Sequence, residues 1–104
     1  MTKYQQFLDE KMLLLSKEKM ILDIGGGDRF QKWLLPYKDL FKNSVYKSMD
    51  SDSRTGADVV GDIHNMPLQT ATVEAIICSS VLEHVKDPIR AVKEMHRVLK
   101  PGGK

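Results

Sequence analysis

Apolar positions near the start of the chain recur every three or four residues. Tyr4, Phe7, Leu8, Met12 and Leu15 fall at helical spacing, which predicts an amphipathic helix from Lys3 to about Ser16 within a leading segment 1–18. From Met20 the pattern shortens to apolar runs. Met20–Ile24 predicts a first strand that runs into Gly25-Gly26-Gly27. Phe30, Trp33 and Leu34 then line one face of a short helix that Pro36 helps to stop. Ser44–Met49 predicts a second strand ending at Asp50, with a loop over 51–56. Asp58-Val59-Val60 predicts a brief third strand closed by Gly61-Asp62, and Asn65-Met66-Pro67 a turn. Val73–Cys78 is apolar almost throughout, as a buried parallel strand is. Asp87 is a natural N-cap and Pro88 a natural first residue for a last helix. Its buried stripe is expected at Ile89, Val92, Met95 (with His96) and Leu99, and Pro101-Gly102-Gly103 ends it.

Strands alternating with helices at this spacing predict an α/β, Rossmann-like, doubly wound parallel sheet. The 104 residues are expected to form one partial domain, truncated after the fourth strand and the helix that follows it. The 41 % apolar and 29 % charged fractions are those of a soluble globular protein. A net charge of +2 with scattered lysines gives no footprint for nucleic acid. No run approaches the roughly 20 apolar residues of a membrane span. Met12-Leu13-Leu14-Leu15 is too short and too closely flanked by charge for a signal-peptide core. The single cysteine, Cys78, fits a reducing compartment, so a cytoplasmic protein is expected.

The glycine loop is where chemistry enters. A buried strand that runs into glycines and then a helix lets a ligand approach the backbone closely. Asp23, two residues before Gly25, would repel a pyrophosphate and favours a ligand carrying a cation, as S-adenosylmethionine does on its ammonium and sulfonium. The nicotinamide fingerprint Gly-x-Gly-x-x-Gly matches Gly25 and Gly27 but meets Phe30 at its third glycine. Asp50 ends the second strand and can accept from both hydroxyls of a ribose. Asp62 follows the third strand, where its side chain can accept from an adenine amino group while the amide of Ile63 donates to the adjacent ring nitrogen. Three acids at three successive strand ends are a more specific pattern than any one of them.

Three segments carry a resemblance: Gly61-Asp62-Ile63-His64-Asn65-Met66-Pro67-Leu68, Val81-Leu82-Glu83-His84-Val85 and Val98-Leu99-Lys100-Pro101-Gly102-Gly103. With the glycine loop they resemble class I S-adenosylmethionine-dependent methyltransferases, in particular the type-11 group, from about Met20 to Gly103. The resemblance implies S-adenosylmethionine as cofactor, S-adenosylhomocysteine as product and a small-molecule methyl acceptor, this chain supplying the cofactor-binding half. It implies that Asp23, Gly25 and Gly27 line the methionine moiety, that Asp50 holds the ribose and that Ser51 packs near the adenine. Asp62 and Ile63 would address the adenine edge, and the backbone around Cys78 and Ser79 would face the ammonium group.

The pattern departs at Arg29, which stands in place of the last glycine, and at Val73-Glu74, where relatives have an aromatic residue and Asp. Some relatives bind a divalent metal through Glu-x-x-Glu-His. Here Ser80 stands in the first position, so no metal site is expected and Glu83 and His84 are read as structural or pocket-lining. No catalytic base is assigned. Tyr4 and Phe7 are expected in the core, with a lid over the cofactor as the other reading. The fourth strand would be an exposed edge, which predicts self-association, as a dimer or otherwise. The alternatives are a non-catalytic S-adenosylmethionine-binding module, or an inactive fragment, and a nicotinamide-binding domain.

Overall fold

A computed structural model describes residues 2–25, 32–78 and 81–104. Four parallel strands, β1 (Met20–Ile24), β2 (Val45–Asp50), β3 (Val59–Val60) and β4 (Ala75–Cys78), lie in the order β3-β2-β1-β4. The expected Rossmann-like sheet is present. Helix α1 spans Lys3–Leu15 and α2 spans Pro88–Val98.

Side chains alternate across a strand, so β1 feeds two cores. Ile21 packs with Met12, Tyr37, Phe41 and Tyr46 on the α1 side, while Leu22 and Ile24 pack with Met49, Ile63, Ala91 and Val98 on the α2 side. The parallel register aligns Ile24 with both Met49 and Cys78, and Asp50 with Val60. All four carboxyl ends therefore meet at one edge.

Both α-helices begin as the sequence predicts. Thr2 Oγ1 accepts from the Gln5 amide (3.0 Å) at the start of α1, and Asp87 Oδ1 accepts from the Arg90 amide (3.2 Å) at the start of α2. Their faces differ from expectation. Tyr4 is 70 % and Phe7 53 % exposed, so α1 buries Met12 and half-buries Leu8 and Leu15 without them. On α2, Ile89 is 71 % and Val92 49 % exposed, and the buried residues are Ala91 and Val98, with Met95 and Leu99 half-buried. The small Ala91 allows the close approach that a stripe led by Ile89 would hold off.

Pro36 also departs from expectation. It lies inside a 3-10 helix over Lys32–Phe41 instead of stopping one. Proline's fixed φ suits the 3-10 backbone, so successive turns pass through it. β4 is an edge strand, as expected, and Lys104 lies along it: its amide donates to Glu74 O (3.0 Å), and its carbonyl accepts from the Ile76 amide (3.4 Å). Among the described residues no helix is long and apolar enough to cross a membrane.

Candidate functional site: a cleft at the carboxyl edge of the sheet

Where the strands end, a cleft of about 260 Å³ opens. Its walls come from four strand ends: Gly25 after β1, Asp50 at the end of β2 with Ser51 after it, Gly61 to His64 after β3, and Val81 with His84 to Lys86 after β4. The cleft thus gathers Gly25, Asp50, Ser51, Asp62 and Ile63 from the predicted set. Gly27 and Ser79, together with Phe30 and Arg29, lie outside the described residues, as do the side chains of Trp33 and Glu83.

The turn at Gly25 requires glycine twice over. Its φ is +77°, and a Cβ there would sit 2.6 Å from Val81 Cγ2. The Gly25 amide donates to Met49 O (2.7 Å), which ties the turn to the neighbouring strand end. Gly61 is held just as closely, since a Cβ would meet Pro67 Cδ at 2.5 Å. At both strand ends the missing Cβ makes room for a side chain of the chain itself, Val81 at Gly25 and Pro67 at Gly61.

Asp50 is half-buried, and its Oδ1 accepts from the Asp52 amide (3.0 Å), which orients the carboxylate at the mouth of β2. Asp62 is exposed. Its Oδ1 accepts from the His64 amide (2.9 Å) and pairs with His64 Nδ1 (2.7 Å). These two bonds, the backbone one first, hold its carboxyl below the usual carboxylate range. The loop behind it is clamped by α2. Glu94 Oε1 accepts from the Met66 amide (2.8 Å), while Arg97 donates to Met66 O (3.1 Å) and Leu68 O (3.0 Å).

Asp23 stands apart from the cleft walls. It is buried on the α1 side of β1, where Tyr46 Oη donates to its Oδ2 (2.7 Å). Burial pushes its carboxyl up to about 6, against the lowering effect of the tyrosine bond. Cys78 is half-buried, and its thiol is raised by burial and by the Asp23 charge. Among the described residues no three His, Cys, Asp or Glu side chains gather to hold a metal ion.

The sequence pattern does not place His64, Val81 or Lys86 at the cleft. His64 sits two residues past Asp62, and that spacing is the available signal. Tyr46 and Asp23 share a face because Ile21 pairs with Tyr46 and Asp23 with Ser48, a register that the sequence does not display.

The residues present suit an uncharged ribose and adenine. Two carboxylates offer acceptors, and Met49, Val81 and Val85 give apolar surface. The chain is similar to known methyltransferases. A rice chloroplastic enzyme, 2-methyl-6-phytyl-1,4-hydroquinone methyltransferase 2 (Oryza sativa subsp. japonica), is 28 % identical over 100 residues, 86 % of this chain and 29 % of its own. A ubiquinone biosynthesis O-methyltransferase of Xanthomonas oryzae pv. oryzae is 47 % identical over 36 residues, 35 % of this chain and 15 % of its own. The fold of a SAM-dependent methyltransferase from Aquifex aeolicus superimposes with a TM-score of 0.65 at 22 % identity, covering 95 % of this chain and 59 % of that one. The chain thus spans less than a third of these curated relatives and under two thirds of the solved structure. The profile of the type-11 methyltransferase domain matches residues 22–104. With the sheet order, the strand-end cleft and that match in agreement, the chain belongs to the type-11 methyltransferase domain family, of the class I S-adenosylmethionine-dependent fold.

Proposed function

We propose that this chain forms the cofactor side of an S-adenosylmethionine-dependent methyl transfer to a small-molecule acceptor. The observation that carries this reading is the convergence of Gly25, Asp50 and Asp62-Ile63, from three successive strand ends, on one cleft. Asp50 takes the ribose hydroxyls. Asp62 and the Ile63 amide address the adenine edge, and Ser51 borders the same ring. Gly25, with Asp23 buried behind it, serves the methionine end, to which the family resemblance also assigns Gly27 and Ser79. The chemistry supplied by the bound cofactor is an electrophilic methyl on a sulfonium. The chain's own part is to hold the donor in a fixed orientation, so that proximity does most of the work. Relatives named for a hydroquinone and for ubiquinone biosynthesis support a small molecule as the acceptor.

Calorimetric titration with S-adenosylhomocysteine tests the reading, with Asp50→Ala as the control. Micromolar binding by the wild type is expected. Loss of two hydrogen bonds to a charged group weakens the variant by about 3 kcal/mol, roughly two orders of magnitude. A folded wild-type chain that takes up no ligand overturns the assignment.

A further inference from the structure

His64 is bound at both ring nitrogens and at both backbone groups. Nδ1 lies 2.7 Å from Asp62 Oδ1, and the His64 amide donates to that same oxygen (2.9 Å). On the far side of the ring, Nε2 accepts from the Asp87 amide (3.0 Å), and the His64 carbonyl accepts from Arg90 Nε (3.1 Å). An Nε2 that accepts a hydrogen bond carries no proton, so the neutral ring must carry its proton on Nδ1 and donate it to Asp62. One imidazole therefore joins the loop after β3 to the residue that caps α2.

We propose that His64 is a positioning residue for the cofactor's adenine end, acting through Asp62 and through the entry to α2, and that only its neutral Nδ1–H form does so. The inference rests on the cofactor reading of the cleft. Among the described residues both hydrogen bonds to the Asp62 carboxylate fall on Oδ1, which leaves Oδ2 for a donor from a ligand. A single tautomer also fixes the distance between this carboxylate and the β4-to-α2 connection, whose His84, Val85 and Lys86 form the facing wall. Protonation places a second hydrogen on Nε2, opposite the Asp87 N–H. The bond to Asp62 survives, but the ring can no longer accept from α2, and the two sides of the cleft part.

The charged and titratable groups around the ring are Asp62 on its own loop and Lys86, Asp87 and Arg90 at the entry to α2, with His84 lining the same cleft. Asp62 and Asp87 face Lys86 and Arg90 around the ring.

His64→Gln isolates that feature, because an amide presents one donor and one acceptor at neighbouring positions and does not titrate. Long-range proton–nitrogen NMR of the wild-type chain at pH 8 is expected to show His64 as the Nδ1–H tautomer, with or without ligand. An Nε2–H tautomer overturns the proposal. Titration with S-adenosylhomocysteine at pH 8 is expected to show His64→Ala weaker by about tenfold, the worth of one or two hydrogen bonds, and His64→Gln within about twofold of wild type. A His64→Gln protein that binds as weakly as His64→Ala overturns the role of the His64 hydrogen bonds. So does His64→Ala binding as tightly as wild type. Failure of the wild type to bind at pH 8 overturns the cofactor reading itself and this role with it, so the two failures are distinguishable.

Discussion

Asp23 is a carboxylate that works against the ionised folded state, and replacing it with asparagine should show this as a pH-dependent gain in stability. In the unfolded chain its carboxyl titrates near 3.8, whereas burial in the sheet pushes it up to about 6. At 1.36 kcal/mol per tenfold change in acidity, keeping it ionised in the fold costs about 3 kcal/mol at pH 7.5. The sign follows from proton counting. Between pH 3.8 and 6 the folded state binds more protons than the unfolded one, so stability is highest at the acid end of this window and falls as pH rises through it. The same linkage leaves a cost of about 1 kcal/mol at pH 4.5, so about 2 kcal/mol is relieved between pH 7.5 and pH 4.5. The asparagine side chain keeps an acceptor for the Tyr46 hydroxyl and removes the charge. Its amide nitrogen returns a fixed cost of about 1–2 kcal/mol if it finds no acceptor, but that offset does not vary with pH. Urea unfolding of both proteins at several pH values from 4.5 to 7.5 yields the difference directly. Asp23→Asn should gain about 2 kcal/mol on the wild type across that range as the pH is raised. A constant difference would refute the argument, because it would mean that Asp23 titrates alike in both states.

Gly25→Ala should lose about 1–2 kcal/mol to the positive φ and a further 1–2 kcal/mol to the clash with Val81, lowering Tm by roughly 10–25 °C. A scanning calorimetry shift of under 5 °C would contradict it. Arg97→Ala removes the donors to Met66 O, Leu68 O and Glu94, which together are worth about 2–3 kcal/mol. Hydrogen exchange should quicken across Asn65–Thr70 while β1 amides stay protected. Uniform exchange changes over the whole chain would show that the clamp is not local.

How much is legible in the sequence depends on how local the cause is. Asp87-Pro88 announces α2 because capping is settled within four residues, and Met20–Ile24 announces β1 because a buried strand needs an apolar run. The buried face of α2 is not legible in this way. Ile89 and Val92 carry more apolar bulk than Ala91, but the sheet selects the face on which a small residue lets the helix close and on which Glu94 and Arg97 reach the loop after β3. Pro36 fits within the 3-10 segment because its fixed φ lies in the 3-10 range, although it supplies no N–H there, and the residue pattern alone does not separate a 3-10 from an α-helix. At the cleft, Asp50, Asp62 and Gly25 are legible from strand ends alone. The Asp62–His64–Asp87 bridge is not, since it joins His64 to a group 23 residues away through a ring whose tautomer only the folded geometry defines.

The sheet order has a consequence for the moment of synthesis. β1 is central, yet one of its partners is β4, and Ile21 pairs with Ala75. A nascent chain that has already made β1 must extend by some fifty residues before that flank can close, so the contact is both slow and late. During the wait Met20-Ile21-Leu22-Asp23-Ile24 is an open apolar segment with one charge near its middle. In the unfolded chain Asp23 is ionised at neutral pH, and a lone charge within such a run discourages edge-to-edge pairing between chains. The residue that burdens the finished sheet thus guards the unfinished one. A substitution that strengthens the native state by neutralising Asp23 would leave the growing chain without its gatekeeper.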